Sequence, residues 1–122
     1  MNKFVGKHVV IAALSVLAVY AASAQAADVV GNAKAGQGKV ATCIGCHGIA
    51  GYRTAYPEVY RVPMLGGQSA RYLENALHEY KKGDRHFGTM HATTASLSEQ
   101  DIADIAAYYA AQTPSSKSNP DK

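Results

Sequence analysis

Two cysteines and a histidine form the most informative cluster of this sequence, in the run Cys43-Ile44-Gly45-Cys46-His47. Two thiols about one helical turn apart can add across the two vinyl groups of a haem, and a histidine directly after the second thiol can bind the iron. The spacing therefore predicts one covalently bound haem c, attached through Cys43 and Cys46, with His47 as an iron ligand.

Three other chemistries also use a Cys-x-x-Cys pair: a thioredoxin-like redox site, half of a zinc site and a structural disulfide. The sequence has only two cysteines, which excludes a four-cysteine zinc site within the chain. A thioredoxin-like site needs a strand-helix-strand context, whereas loop and helical patterns follow this pair. Haem attachment is the favoured chemistry, and a haem-free thiol oxidoreductase is the minor alternative.

The N-terminal segment has the pattern of a secretory signal peptide. Lys3 and Lys7 give it a basic start, residues 9–22 are almost all apolar, and Ser23-Ala24-Gln25-Ala26 is a small-residue cleavage pattern. An uncleaved membrane anchor is the alternative, because the apolar run approaches the roughly 20 residues that a span needs. In bacteria haem c is attached outside the cytoplasmic membrane, so leader and cysteine pair together predict export to the periplasm.

The expected domain organisation is a signal peptide at 1–26, one small domain at 27–114 and a disordered polar tail at 115–122. Without the leader, ten Lys and Arg residues stand against nine Asp and Glu residues. This balance offers no basic surface for nucleic acid, and no stable membrane insertion is expected after cleavage. A core this small usually needs a staple, which a haem would supply; we expect the chain without haem to be largely unfolded.

Three helical patterns surround the cysteine motif. The first covers about 32–41 and would deliver the cysteines at its C-terminal end. The second covers 69–82, with Gly83 as its stop signal. The third begins with a capping arrangement at Ser98 and extends to Pro114. No strand pattern is convincing, so the sequence predicts an all-α fold: three main helices and loops wrapped around one haem.

A second iron ligand must lie elsewhere in the chain. The candidates after the cysteine motif are Met64, His78, His86, Met90 and His91. Met90 lies in a polar, glycine-containing stretch between the second and third helical patterns, and backbone freedom in such a loop would let its thioether reach the iron. An ordinary core methionine is the alternative interpretation of Met90, and a histidine ligand would give a bis-histidine haem.

Four sequence blocks stand out in a fixed order. They are Cys43-Ile44-Gly45-Cys46-His47-Gly48, then Pro63-Met64-Leu65-Gly66-Gly67-Gln68 with Arg71-Tyr72-Leu73, then Tyr80-Lys81-Lys82-Gly83-Asp84-Arg85, and finally the stretch 97–109. In this order the blocks resemble the class I cytochromes c, and most closely the bacterial c4/c553-type single-haem domains. The resemblance covers about residues 34–112.

The resemblance implies a role for each matching position. Cys43 and Cys46 would form the thioethers, His47 would be the proximal ligand and Met90 the distal ligand. The carbonyl of Pro63 would accept the Nδ1 hydrogen of the ligating histidine, which orients the imidazole and makes it a stronger donor.

Two parts of the resemblance are less direct. Leu65 would pack on the haem, while Met64 would point elsewhere. The stretch 49–62 is longer and richer in tyrosine than the family suggests. Tyr52 and Arg53 are candidates for contact with the haem propionates on chemistry alone, and solvent-facing loop residues are the favoured alternative.

An iron with both axial positions filled by protein implies outer-sphere transfer of one electron rather than an enzyme reaction. The resemblance therefore predicts a periplasmic electron shuttle of a respiratory chain. Its partners would be a membrane donor complex or dehydrogenase and a terminal oxidase or reductase. A dedicated haem subunit of an oxidoreductase complex is the alternative with the same haem chemistry.

Overall fold

The structure of the protein is a computed structural model, which describes residues 29–56, 59–113 and 116. Within these residues the chain forms five helices and one short antiparallel hairpin. The elements are α1 (Ala33–Gln37), α2 (Ala41–His47), β1 (Arg53–Thr54), β2 (Tyr60–Arg61), α3 (Ala70–Lys82), α4 (Gly88–Thr94) and α5 (Glu99–Ala110). The all-α prediction is confirmed, with a two-stranded hairpin added to it.

Two parts of the predicted organisation fall outside this description. The signal peptide, 1–26, lies wholly outside the described residues, and so does the tail, 115–122, except for Ser116. In the part of the chain that the structure describes, no helix is both long and apolar enough to cross a lipid bilayer.

The first predicted helix is divided into two. Asn32 caps α1 as expected, since its side-chain oxygen accepts from the backbone N–H groups of Lys34 and Ala35 at 3.0 Å. The helix then ends at Gly38, and a new helix, α2, begins at Ala41. The prediction that one helix over 32–41 carries the cysteines is therefore wrong. Two glycines within six residues lower helix propensity here, and tertiary contacts decide where the chain turns.

A tight interface joins α1 to α5. A Cβ atom on Gly36 would collide with the carbonyl oxygen of Asp104, so only glycine lets the two backbones come this close. The Asp104 side chain is 2% exposed. Its carboxylate accepts from the Asn32 backbone N–H at 2.7 Å, from Gln100 Nε2 at 2.8 Å and from Lys39 Nζ at 2.7 Å. Within the α1–α5 interface this buried carboxylate is thus fully supplied with donors.

Both long helices begin where the sequence predicts, and α3 also ends there, whereas α5 ends at Ala110, before the predicted stop at Pro114. Ser69 caps α3 by accepting from the Tyr72 N–H at 3.2 Å, and Gly83 ends it with φ +88°, which favours glycine. A reciprocal capping box starts α5: the Ser98 N–H donates to Asp101 Oδ2 at 3.0 Å, and the Asp101 N–H donates to Ser98 Oγ at 3.1 Å. These caps fix the helices that carry most of the core.

The core lies between α3 and α5 and continues toward the cysteine motif. Its buried members are Val40, Leu73, Ile105, Ala106 and Tyr109. Cys43 and Leu65 are partly buried and pack against this cluster. The core therefore merges with the wall of a cleft that holds the predicted site.

Candidate functional site

A mostly apolar cleft lies beside the core, and α2, α3, α4, α5 and the segment 62–65 all contribute to its walls. All six residues that the sequence predicts for the site line it: Cys43, Cys46, His47, Pro63, Leu65 and Met90. The fold thus brings together residues that are up to 47 positions apart in the chain.

The imidazole of His47 is oriented by the backbone of the segment opposite α2. Its Nδ1 atom lies 2.7 Å from the carbonyl oxygen of Pro63. A carbonyl oxygen only accepts, so Nδ1 carries the hydrogen and Nε2 keeps its lone pair. This tautomer is the one that leaves a nitrogen free to bind a metal.

The two cysteines are free and half-buried, one turn apart on α2. Burial raises the pKa of the Cys43 thiol, and the contact with the Thr42 hydroxyl, 4.0 Å from the sulfur, offsets this only in part. Reactive redox thiols have a lowered pKa, so the direction of this shift does not favour a thiol oxidoreductase. Among the described residues, no group of three or more His, Cys, Asp and Glu side chains could hold a metal ion.

Met90 lies in the first turn of helix α4, so the prediction of a loop at this position is wrong. Glycine and threonine are poor helix formers, and for this reason no helical pattern is visible in this stretch of the sequence. The threonines bond within the helix instead: Thr93 Oγ1 donates to the Thr89 carbonyl at 2.8 Å, and Thr94 Oγ1 donates to the Met90 carbonyl at 2.9 Å.

The other candidate ligands are less well placed. Met64 also borders the cleft, but it is 48% exposed. The three histidines do not line it: His78, His86 and His91. His91 has a structural contact of its own, because its Nδ1 lies 2.8 Å from the carbonyl oxygen of Tyr80 and so joins α4 to the end of α3.

Tyr109 gives a test of what the cleft can hold. Its side chain is 3% exposed, and its hydroxyl is the buried side-chain polar atom without a hydrogen-bond partner in the described part of the chain. Burial, and secondarily the neighbouring Cys43, raise the pKa of this phenol. An unpartnered buried hydroxyl is costly. Apolar walls and a free buried donor suit a large flat group with polar edges, such as a haem.

The sequence did not predict that Arg85 lines the cleft. Arg85 lines it, whereas Tyr52 and Arg53, the candidates for propionate contact, do not. Nothing periodic marks the segment after α3, so the sequence could not tell where the Arg85 side chain points. The unusual length and tyrosine content of the stretch 49–62 were visible in the sequence. This stretch contains the hairpin, and the ring centroid of Tyr60 lies 5.1 Å from that of Phe87 at the edge of the cleft.

Comparison with known proteins places the chain in one family. The sequence profile of the cytochrome c family matches residues 33–111. Cytochrome c-554(548) from Halomonas halodenitrificans is 46% identical over 85 residues, which are 67% of this chain and 98% of that protein. Cytochrome c4 from Pseudomonas aeruginosa is 44% identical over 86 residues, or 70% of this chain and 41% of that protein. The corresponding cytochrome from Stutzerimonas stutzeri is 40% identical over 95 residues, with shares of 70% and 43%.

The chain is a class I c-type cytochrome and belongs to the cytochrome c family. Its cofactor is accordingly a covalently bound haem c, and its Cys-x-x-Cys pair has the arrangement that such attachment requires. Haem-based electron transfer is the function that this family membership supports. The chain spans nearly all of cytochrome c-554(548) but only about two fifths of the cytochrome c4 relatives.

Proposed function

We propose that this protein is a periplasmic single-haem electron carrier that moves one electron at a time between redox partner proteins. In this proposal Cys43 and Cys46 form the thioether bonds, and His47 and Met90 bind the iron. Signal peptide 1–26 is removed on export, and the protein makes and breaks no bonds in a substrate.

The observation that carries the proposal is the shared cleft. The thiols of Cys43 and Cys46, the imidazole of His47 and the thioether of Met90 all line it. The Pro63 carbonyl, 2.7 Å from His47 Nδ1, leaves Nε2 available for a metal. A soft thioether, an imidazole and two thiols around one apolar space form a donor set typical of a His/Met-ligated haem c.

The chain's own residues then set the properties of the site. The Pro63 carbonyl holds the His47 ring in one orientation and increases its donor strength. Contact between His91 and Tyr80 braces the helix that carries Met90. Leu65 and the other apolar walls exclude water, which disfavours the more highly charged oxidised form. When bound, the haem supplies a one-electron couple, and a thioether ligand and apolar surroundings raise its reduction potential.

Partner proteins would meet the molecule at the open side of the cleft. Tyr60, Met64 and Tyr72 line the cleft and are each 48% exposed. Such an apolar rim suits the small, brief contacts of redox encounters. Co-elution of the protein with its native partner in gel filtration would instead favour a dedicated subunit, and separate elution would favour a shuttle.

Two methionines at one cleft allow a matched test of the iron ligand. The protein, expressed in the periplasm with haem attachment, should have a low-spin c-type spectrum with the weak sulfur-to-iron charge-transfer band when oxidised. Met90→Leu should lose that band, and Met64→Leu, the control, should keep it. The reverse result would move the ligand to Met64, and loss of the band in neither variant would overturn methionine ligation.

The leader has a separate test. Intact mass of the exported holoprotein should correspond to a chain that begins at Ala27 and carries one haem. A mass that includes residues 1–26 would show that the leader is retained as an anchor. A mass without haem would contradict attachment through Cys43 and Cys46.

A further inference from the structure

Helix α4 carries Met90, yet its own sequence does little to stabilise it. It has seven residues, begins at Gly88 and contains three threonines. The side chain of its N-cap residue, Phe87, makes no capping hydrogen bond. Glycine and threonine have low helix propensity, and a helix this short does not persist in water by itself. Contacts with the rest of the molecule must therefore hold α4 in place.

A single side chain of α4 forms a hydrogen bond with another helix. The Nδ1 atom of His91 lies 2.8 Å from the carbonyl oxygen of Tyr80, in the last turn of α3. Because a carbonyl oxygen only accepts, Nδ1 donates. The hydroxyl groups of Thr93 and Thr94 donate to carbonyls within α4 instead. Among the described residues, the His91–Tyr80 contact is thus the one hydrogen bond that links α4 to another helix or strand.

The end of α3 provides an acceptor for this bond. The last carbonyl groups of a helix have no partner within the helix, and the Tyr80 carbonyl accepts from the Gly83 N–H at 3.2 Å. His91 supplies a second and shorter contact to the same oxygen. Helix α3 packs on α5 in the core, where Leu73 and Ile105 are both buried. The bond from His91 therefore ties α4 to a helix that the core already holds.

The residue directly before His91 is the proposed distal ligand. Met90 lines the cleft, whereas His91 does not, so one of two consecutive side chains faces the site and the other anchors the helix. We propose that His91 is a positioning residue for this ligand: its hydrogen bond to the Tyr80 carbonyl keeps the Met90 thioether on the haem iron and small ligands off the sixth coordination position. This inference rests on the His/Met ligation proposed above.

The ferric state is where such an anchor matters most. A thioether is a soft donor and favours ferrous iron, so it is the weaker of the two axial ligands when the iron is oxidised. A small displacement of α4 then changes how often the thioether leaves the iron. Each departure opens a position that a small ligand can occupy.

Two other histidines differ from His91 in their contacts. His78 on α3 lies 3.4 Å, from its Nε2, from a carboxylate oxygen of Glu99 and makes no contact with α4 of this kind. His86 directly precedes α4, is exposed, and its side chain has no hydrogen bond or ion pair among the described residues. A substitution at His86 is therefore a matched control for one at His91.

The test uses the full holoprotein in the ferric form at one fixed pH. His91→Ala removes the donor, and because alanine is the better helix former, any loss of ligation cannot come from weaker helix propensity. His91→Asn keeps an N–H donor at the place of Nδ1, and His86→Ala is the control. Three properties are measured: the sulfur-to-iron charge-transfer band, the rate of binding of excess cyanide to the iron, and the denaturant midpoint.

We expect cyanide to bind about fivefold faster to His91→Ala than to wild type, the factor that one ordinary hydrogen bond is worth. Cyanide must wait for the thioether to leave, so its rate reports how often the sixth position opens. The charge-transfer band of His91→Ala should be weaker in the same measurement. His91→Asn should stay near the wild-type rate, and His86→Ala should match wild type in both properties.

A wild-type cyanide rate in His91→Ala would overturn the proposal, even with a lower denaturant midpoint, because the bond would then stabilise the fold without holding the ligand. An equal rise in His86→Ala would overturn it too. If His91→Ala gives no holoprotein, His91→Gln decides, since its amide lies one methylene group farther out: cyanide should bind it faster than His91→Asn, and equal rates would contradict the proposal. Failure of the His/Met ligation is distinguishable, because wild-type ferric protein would then lack the charge-transfer band.

Discussion

Helix α5 buries one polar side chain toward α1 and another toward the cleft, and the two differ in their hydrogen-bond partners. Asp104 faces α1 with 2% exposure and accepts from three donors of the chain. Tyr109 faces the cleft with 3% exposure, and its hydroxyl has no partner among the described residues. Among the described residues, the buried carboxylate at the α1–α5 interface therefore has its hydrogen-bond donors within the chain, while the buried hydroxyl at the cleft wall has no partner there.

The difference separates what the polypeptide stabilises by itself from what the cofactor must stabilise. Close backbone contact at Gly36 and a satisfied carboxylate network hold α1 to α5. The cleft is instead lined mostly by apolar side chains from four helices, and a haem bound there would contact side chains of all four. Loss of the haem should therefore affect the cleft walls, and substitutions between α1 and α5 should weaken an interface that the chain stabilises by itself.

The largest effect is expected from loss of haem attachment. Cys43→Ala with Cys46→Ala should give a chain without covalent haem that loses most of its helical signal. The walls of the cleft would then face water, and α1 and α2, of five and seven residues, are too short to persist alone. Far-UV circular dichroism and a haem stain on a denaturing gel measure the two outcomes.

Met64→Leu is the control for that double substitution, because it changes a cleft residue without touching the attachment. It should remain coloured and helical. Native helix content in the haem-free chain would mean that the α1–α5 interface and the core suffice for folding, and it would contradict the expected dependence of the fold on haem.

A methyl group at the α1–α5 interface should have the next largest effect. In Gly36→Ala the new Cβ meets the Asp104 carbonyl, and the helices must separate, at a cost of about 1–3 kcal/mol in the free energy of unfolding. In Gly38→Ala the nearest atom to the Cβ is 3.6 Å away, an ordinary contact. Denaturant titration of both holoproteins should therefore show a lower midpoint for Gly36→Ala only. Equal denaturation midpoints for Gly36→Ala and Gly38→Ala would contradict tight backbone packing at Gly36.

Acid and alkali should weaken the same interface through its charges. Hydrogen bonds from Lys39 are the main cause that lowers the pKa of Asp101 and of Asp104, and hydrogen bonds to these carboxylates, Asp101 first, raise the pKa of Lys39. Lowered carboxylate pKa values give stability that is present above their unfolded value, about 3.9, and lost as the pH falls through the folded values. The raised lysine pKa gives stability that is present below about 10.4 and lost as the pH rises through the folded value.

Lys39→Met tests both limits. The difference in unfolding midpoint between wild type and this variant should be greatest from about pH 5 to 9, and it should narrow below about pH 4 and above about pH 10. Lys34→Met, which removes an exposed lysine of α1, should show no such pH window. A constant difference across the whole range would mean that Lys39 acts by packing and not by charge.

The smallest effect on stability is expected where the end of α3 contacts the residue before α5. Lys81 donates to the Leu97 carbonyl at 2.6 Å, which ties the end of α3 to the residue before the α5 cap. Lys81→Met should lower the free energy of unfolding by about 1–2 kcal/mol, because a charge-assisted hydrogen bond is lost. Lys82→Met, its exposed neighbour, should stay within about 0.5 kcal/mol of wild type. Similar values for the two variants in thermal unfolding would contradict a structural role for Lys81.

Elements with short-range signals were predicted well. The stop at Gly83 and the cap at Ser98 lie where the sequence predicts them, and α3 begins next to Ser69 as predicted, because capping depends on residues within a few positions of each other. The cysteine motif likewise carries its chemistry in five consecutive residues, and family membership confirms haem c as the cofactor. The iron ligands themselves remain a prediction, supported by the shared cleft.

Three features were decided only by the tertiary structure. The chain breaks between α1 and α2, and Gly36 of α1 packs against the carbonyl of Asp104, 68 positions away. Met90 is helical despite its weak local propensity, since α4 packs on α3. Arg85 lines the cleft, where its guanidinium lies over the rings of Tyr72 and Tyr80 of α3. Local patterns determine caps, the attachment motif and helix faces, whereas long-range packing decides breaks, weak helices and the direction of a lone charge.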